Sequence, residues 1–152
     1  MSLQVSINGH GASISIEVSG YERLSAQDVS DANWLKCRVA VNLGCFTGDY
    51  PTAFETSDFV RFRDGLKTVL SATSGSASFL TCEEALSCTI EMKKNGTARI
   101  KGVAQAHGHT TSVLSFSFES DQSFLAKTLR ELESVAEQFP VRQKNSRGQI
   151  GP

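Results

Sequence analysis

Three histidines, four cysteines and a few paired or clustered carboxylates are the side chains of this sequence whose types and spacing could do chemistry. His10, His107 and His109 each stand in a glycine-containing turn. The His107-Gly108-His109 spacing can put two imidazoles on one side of an extended segment. A catalytic zinc needs three protein ligands and a structural one four, so a metal site here needs His10 to join from a separate hairpin. The simpler reading is three turn histidines facing water, and no metal or cofactor is implied. Cys37, Cys45 and Cys88 fall on the apolar parity of strand-like segments and read as small core hydrophobes. On one extended strand Cys37 and Cys45 are eight residues apart, roughly 26 Å, too far to bridge. No C-x-x-C pair offers a zinc or redox motif.

The fingerprints of common enzymes are missing. There is no G-x-S-x-G, H-E-x-x-H, G-x-x-x-x-G-K-[ST] or G-x-G-x-x-G, and no serine stands beside a histidine and a carboxylate in a familiar order. The expectation is a protein that is not an enzyme. Glu83-Glu84, between two strand candidates, is either a charged pair aimed at a partner or a solvated strand end that discourages edge-to-edge association. The segment Phe46-Thr47-Gly48-Asp49-Tyr50-Pro51-Thr52-Ala53-Phe54 mixes aromatics, a carboxylate and turn residues. That mixture makes anchors at protein interfaces, and it also closes the ends of sheets. Phe46, Asp49, Tyr50, Phe54, Glu83 and Glu84 are therefore the candidate partner-binding residues.

Elements that position these residues follow from hydropathy. Leu3, Val5 and Ile7 alternate before Asn8-Gly9-His10-Gly11, and Ile14, Ile16 and Val18 alternate after it, which predicts a hairpin. A polar loop, about 22–33, leads to a long strand with Leu35, Cys37, Val39, Val41, Leu43 and Cys45 on one face, resuming around 52–54 after a bend. Phe59, Phe62, Leu66, Val69 and Leu70 recur at helical spacing after a cap at Thr56 or Ser57. Strands over 77–82 and 86–93, an Asn95-Gly96 turn, strands over 97–106 and 114–119, and a helix capped by Ser120 or Asp121 complete the order. Phe124, Leu125, Leu129, Leu132, Val135, Ala136 and Phe139 form that helix's stripe, and Pro140 ends it. The predicted class is α+β: an antiparallel β-sheet of about seven strands, ordered β-β-β-α-β-β-β-β-α, with two helices packed on one face.

With 152 residues, 39% of them hydrophobic, the chain is sized for one core. One α+β domain is expected over 1–140 and a basic C-terminal tail over 141–152, solvated at its end. Net charge is −1, and Arg142, Lys144 and Arg147 are the charged residues after Pro140, so residues 1–140 carry about −4. That balance argues against nucleic-acid binding. No apolar run is long enough to span a membrane, and the N-terminus lacks a basic segment followed by an apolar stretch, so a cytoplasmic location is expected.

Asn33-Trp34-Leu35, Phe46-Thr47-Gly48, Asp58-Phe59 with Phe62 and Leu66, Glu84 and Leu86, Gly96 with Ile100, Leu114-Ser115-Phe116-Ser117-Phe118 and Asp121-Gln122-Ser123-Phe124-Leu125 together resemble the pattern of the WapI family of bacterial immunity proteins, over roughly residues 12–141. The resemblance implies a cytoplasmic protein that binds the toxic C-terminal domain of a polymorphic toxin, a nuclease in the founding case, and neutralises it by stoichiometric protein–protein inhibition without catalysis. It carries no site residues onto this chain. The alternatives from the residues alone are a small-ligand- or metal-binding cytoplasmic domain near the His107–His109 turn, and a self-associating domain using an edge strand or the polar sheet face.

Overall fold

The computed structural model describes residues 2–24 and 27–152. Eight long strands fall into two four-stranded antiparallel meanders, each followed by a long helix. The first meander is β1 (Leu3–Gly9), β2 (Ala12–Tyr21), β3 (Trp34–Asn42) and β4 (Thr47–Glu55), with a one-turn helix α1 (Val29–Ala32) between β2 and β3 and then α2 (Thr56–Ala72). The second is β5 (Gly75–Phe79), β6 (Leu86–Met92), β7 (Thr97–Ala106) and β8 (Ser112–Asp121), followed by α3 (Gln122–Gln138). A small hairpin, β9 (Gln143–Lys144) with β10 (Ile150–Gly151), ends the chain. The predicted α+β class, antiparallel pairing and two long helices are what the chain adopts.

Where one sheet of about seven strands was expected, the eight strands divide between two sheets. The long strand stops at Asn42, and the apolar parity that continues through Leu43 and Cys45 belongs to a tight connection, closed by Leu43 N–H donating to the Phe46 carbonyl at 2.9 Å. Cys45 is therefore exposed, as is Cys82, while Cys37 and Cys88 are buried. The core reading of Cys45 is corrected, and so is the extended span assumed between it and Cys37. In the polar loop expected over 22–33, Asp28 caps α1 by accepting the Ser30 N–H at 3.0 Å; Ser25 and Ala26 of that loop, and Met1, lie outside the described residues.

Both helices begin directly where a strand ends. Asp121 caps α3 as expected, its Oδ1 accepting from the Ser123 and Phe124 N–H groups. At α2 the cap is Glu55 rather than Thr56 or Ser57, with Asp58 Oδ2 accepting the Glu55 N–H at 3.0 Å. Thr56 is instead buried, with its hydroxyl directed at Asn33. The stripes Phe59, Phe62, Leu66, Val69 and Leu125, Leu132, Val135, Phe139 join the inner faces of both sheets in one apolar cluster. Phe54, Phe59, Phe62 and Phe79 meet there edge-on or tilted, with ring centroids 5.1–6.2 Å apart. At about 1.5–3 kcal/mol for each large side chain buried, this cluster dominates the stability of the fold.

The expectation of a solvated tail fails at its first charged residue. Arg142 is only 9% exposed, and its guanidinium donates to the carbonyls of Ala32, Arg23 and Leu24 while lying 3.9 Å from the centre of the Tyr21 ring. Asn33 completes the junction: its Oδ1 accepts from the Arg142 N–H and its Nδ2 donates to the Arg142 and Val29 carbonyls. An arginine so placed satisfies backbone carbonyls at the end of α1, where the sequence shows a basic residue near a terminus and nothing of its partners.

Candidate functional site

The start of β4 and the turn end of the β7–β8 hairpin meet at one corner of the molecule. Between them lies a cleft of about 460 Å³ lined by Val41, Phe46 to Tyr50, Ala104, Ala106 and Ser112 to Leu114. Phe46 is 61% exposed and Val113 59% exposed, and both line this cleft. They are the two large apolar side chains that the cleft leaves in water. The backbone explains why they are there. Phe46 sits in the turn that returns β3 to β4, and Val113 stands on the outward parity of β8, where Ser115 and Ser117 are also exposed.

Tyr50 forms the floor. It lies opposite Val39 on the inner side of the first sheet, and its hydroxyl donates to the Ala85 carbonyl at 2.6 Å, tying the two sheets together. Burial pushes its pKa up to about 12, so the group is a neutral donor at any physiological pH. Asp49, on the opposite parity, pairs with Arg38 on the solvent face, each about half exposed. A pair of that exposure contributes at most about 1 kcal/mol, and its charges stay available to a partner.

Of the six residues expected to bind a partner, Phe46, Asp49 and Tyr50 are thus brought to one cleft. Phe54 is corrected out of the set, because its ring is fully buried against Phe59 and Phe79 and no partner reaches it. Glu83 lines a different, smaller cleft of about 260 Å³ with Glu22, Arg23, Asp31, Trp34 and Ala53. Glu84 turns the chain between β5 and β6 with a left-handed φ of 53°. The sequence reasoning missed Val113 and the Ala104–Ala106 wall. The signal available was Val113 itself, a large aliphatic on the polar parity of its strand.

The histidines do not converge. His10 Nε2 is 3.7 Å from Asp121 Oδ2 at the start of α3, whereas His107 and His109 precede β8 at its other end, about ten residues of extended chain away. Among the described residues no group of three or more His, Cys, Asp or Glu side chains is placed to hold a metal ion. The polar sheet faces carry Arg99 paired with Glu119 at 2.7 Å, which holds the Glu119 carboxyl below its ordinary range, in mixed company with Lys101 and Glu91. Among the described residues no helix is long and apolar enough to cross a membrane.

The model of the WapI-like immunity protein family matches residues 4–140 of the chain, which takes in both meanders and both long helices. No curated protein matches it.

Proposed function

Since the chain belongs to the WapI-like immunity protein family, we propose that it binds the toxic C-terminal domain of one polymorphic toxin in the cytoplasm and neutralises it by occupying it one to one, with no catalytic step. The observation that carries the choice of surface is the pair Phe46 and Val113, exposed on facing walls of one cleft. Tyr50 stiffens the floor, and Asp49 with Arg38 supplies a polar rim, the arrangement of an apolar anchor ringed by charge that concentrates binding energy. Glu83 and Glu84 lie outside this cleft and are proposed only as peripheral contacts. We read residues 4–142 as the folding unit, with Arg142 tying the chain after Pro140 back to the end of α1.

The cleft is apolar at its centre, and residues 1–140 carry only about −4. Docking there is driven by desolvation, and the association rate depends weakly on salt, unlike the steered capture of a basic nuclease by an acidic inhibitor. The test is co-expression with candidate toxin domains, followed by calorimetry of the purified pair. Phe46→Ala removes roughly 1.5–3 kcal/mol of burial, a loss of about 10- to 150-fold in affinity, and Val113→Asp removes protection of toxin-expressing cells. Full protection and unchanged affinity in both variants would move the interface elsewhere on the molecule.

A further inference from the structure

Each of the two four-stranded sheets has two outer edges, and three of these four edges are covered, shortened or interrupted by a specific device. Along β1 the helix α3 takes the place of a further strand, with Thr128 Oγ1 donating to the Ser6 carbonyl at 2.6 Å. β5 is kept short, at five residues, and α2 packs on its inner face, where a Cβ on Gly65 would stand 3.3 Å from Ala77 Cβ. On β4 the parity follows from Trp34, whose carbonyl accepts from Glu22 N–H on the β2 side and so turns away from Glu55. Glu55, Ala53, Pro51 and Asp49 are then the residues whose main-chain groups face outward, and Pro51 breaks that row by having no N–H to offer.

The fourth edge, β8, has no such device. Gln105 N–H donates to Ala85, away from β8, so its partner Val113 directs its own N–H and C=O outward; the same parity applies to Ser115, Ser117 and Glu119. Glu119 confirms it, because its carbonyl accepts from His10 N–H at 2.9 Å across this edge. That contact closes the edge at its end, where Gly9 comes so near that a Cβ there would stand 2.2 Å from the Glu119 oxygen. Before it, Val113, Ser115 and Ser117 are exposed and carry no charge or proline, and among the described residues His10 makes the only backbone bond across β8's outer edge.

We propose that the β8 edge pairs with the β8 edge of a second copy of this chain. An antiparallel pair centred on Ser115 sets Ser115 against Ser115 and Val113 against Ser117, which matches outward-facing donors to acceptors throughout, as a two-fold contact requires. Charge favours this occupant. The paired segment is neutral, and the nearest carboxylate, Glu119, falls opposite Thr111 of the other copy and is already bound by Arg99. The result is one sheet continuous through both copies. The inference stands on edge geometry and does not depend on the toxin reading.

The test is light scattering of the full chain over a dilution series from about 1 mM to about 1 μM, with amide exchange read at both ends. The mass should rise from one chain to two, and the Ser115 and Ser117 amides should exchange fast when dilute and slowly when concentrated, while Phe116, bonded to β7, stays slow throughout. Ser115→Pro removes an outward N–H and no bond within the chain, so it should keep the wild-type circular dichroism and stay monomeric. Ser115→Lys, which sets two like charges opposite each other, serves the same purpose without altering the backbone. A single-chain mass across the series, or a dimer that survives both substitutions, overturns the proposal. Protection of Ser115 and Ser117 that arises only on adding a toxin domain also overturns it, in favour of a foreign strand on the same edge.

Discussion

Arg142→Ala tests whether the residues just beyond Pro140 belong to the fold. In the native protein the guanidinium gives two bonds to the Ala32 carbonyl, one to Arg23 and a longer one to Leu24, and covers the Tyr21 ring. Water can replace it at Arg23, which is exposed, but Ala32 is fully buried, and leaving its carbonyl without a donor costs about 1–3 kcal/mol. Loss of the contact with Tyr21 adds about 0.5–2 kcal/mol. The expected cost is about 3 kcal/mol, which for a chain of this length lowers Tm by roughly 6–12 °C. Urea unfolding followed by tryptophan fluorescence should show the midpoint falling with the slope unchanged, since Trp34 adjoins the junction. Truncation after Pro140 should reproduce most of the loss. A cost under about 1 kcal/mol in both would refute the reasoning and return residues 141–152 to the solvated tail that the sequence suggested.

Four further outcomes are expected. Gly102→Ala should cost about 1–3 kcal/mol or more, because a Cβ there would lie 2.1 Å from the Ser87 carbonyl oxygen and 2.7 Å from the Phe116 ring; chemical denaturation measures it. Thr73→Gly should stabilise by about 1 kcal/mol, since Thr73 ends α2 with a left-handed φ of 56° that a β-branched residue adopts at a cost, and a rise in Tm is the readout. In a thiol assay at pH 8, Cys45 and Cys82 should react in the folded protein while Cys37 and Cys88, buried and with pKa values pushed up to about 12, react only on unfolding. Burial keeps Tyr50 protonated to about 12 in the folded state, whereas the unfolded chain releases that proton near 10. Stability that is intact below pH 10 should therefore decline as pH rises toward 12, and Tyr50→Phe should flatten that decline in alkaline melts.

How much the sequence revealed depended on whether a residue's environment lay along its own element or across the molecule. The stripes of α2 and α3 and the return strand Thr97–Ala106 are periodic within themselves, so local spacing was enough. The turn at Asn95-Gly96 was equally legible, because φ values of 71° and 76° are what that dipeptide tolerates. β4 hid because an edge strand needs little apolar sequence. Only Phe54 is fully buried on it, and Pro51, which weakens any strand reading, sits at an outward position where no ladder bond is lost. The division into two sheets was equally hidden, since inward parity tells which face is covered and says nothing of what covers it. The same limit divided the candidate site. Phe46, Asp49 and Tyr50 share one short segment and were singled out together, while Val113 is 67 residues beyond Phe46 and joins them only because β8 starts where β4 starts. Phe54 shows the converse error, for an aromatic beside a turn reads alike whether it anchors a partner or fills the core. What separates the two is parity against the neighbouring strand: Phe54 lies opposite Leu35 on the buried face, while Phe46 precedes the ladder and is held by no strand pair.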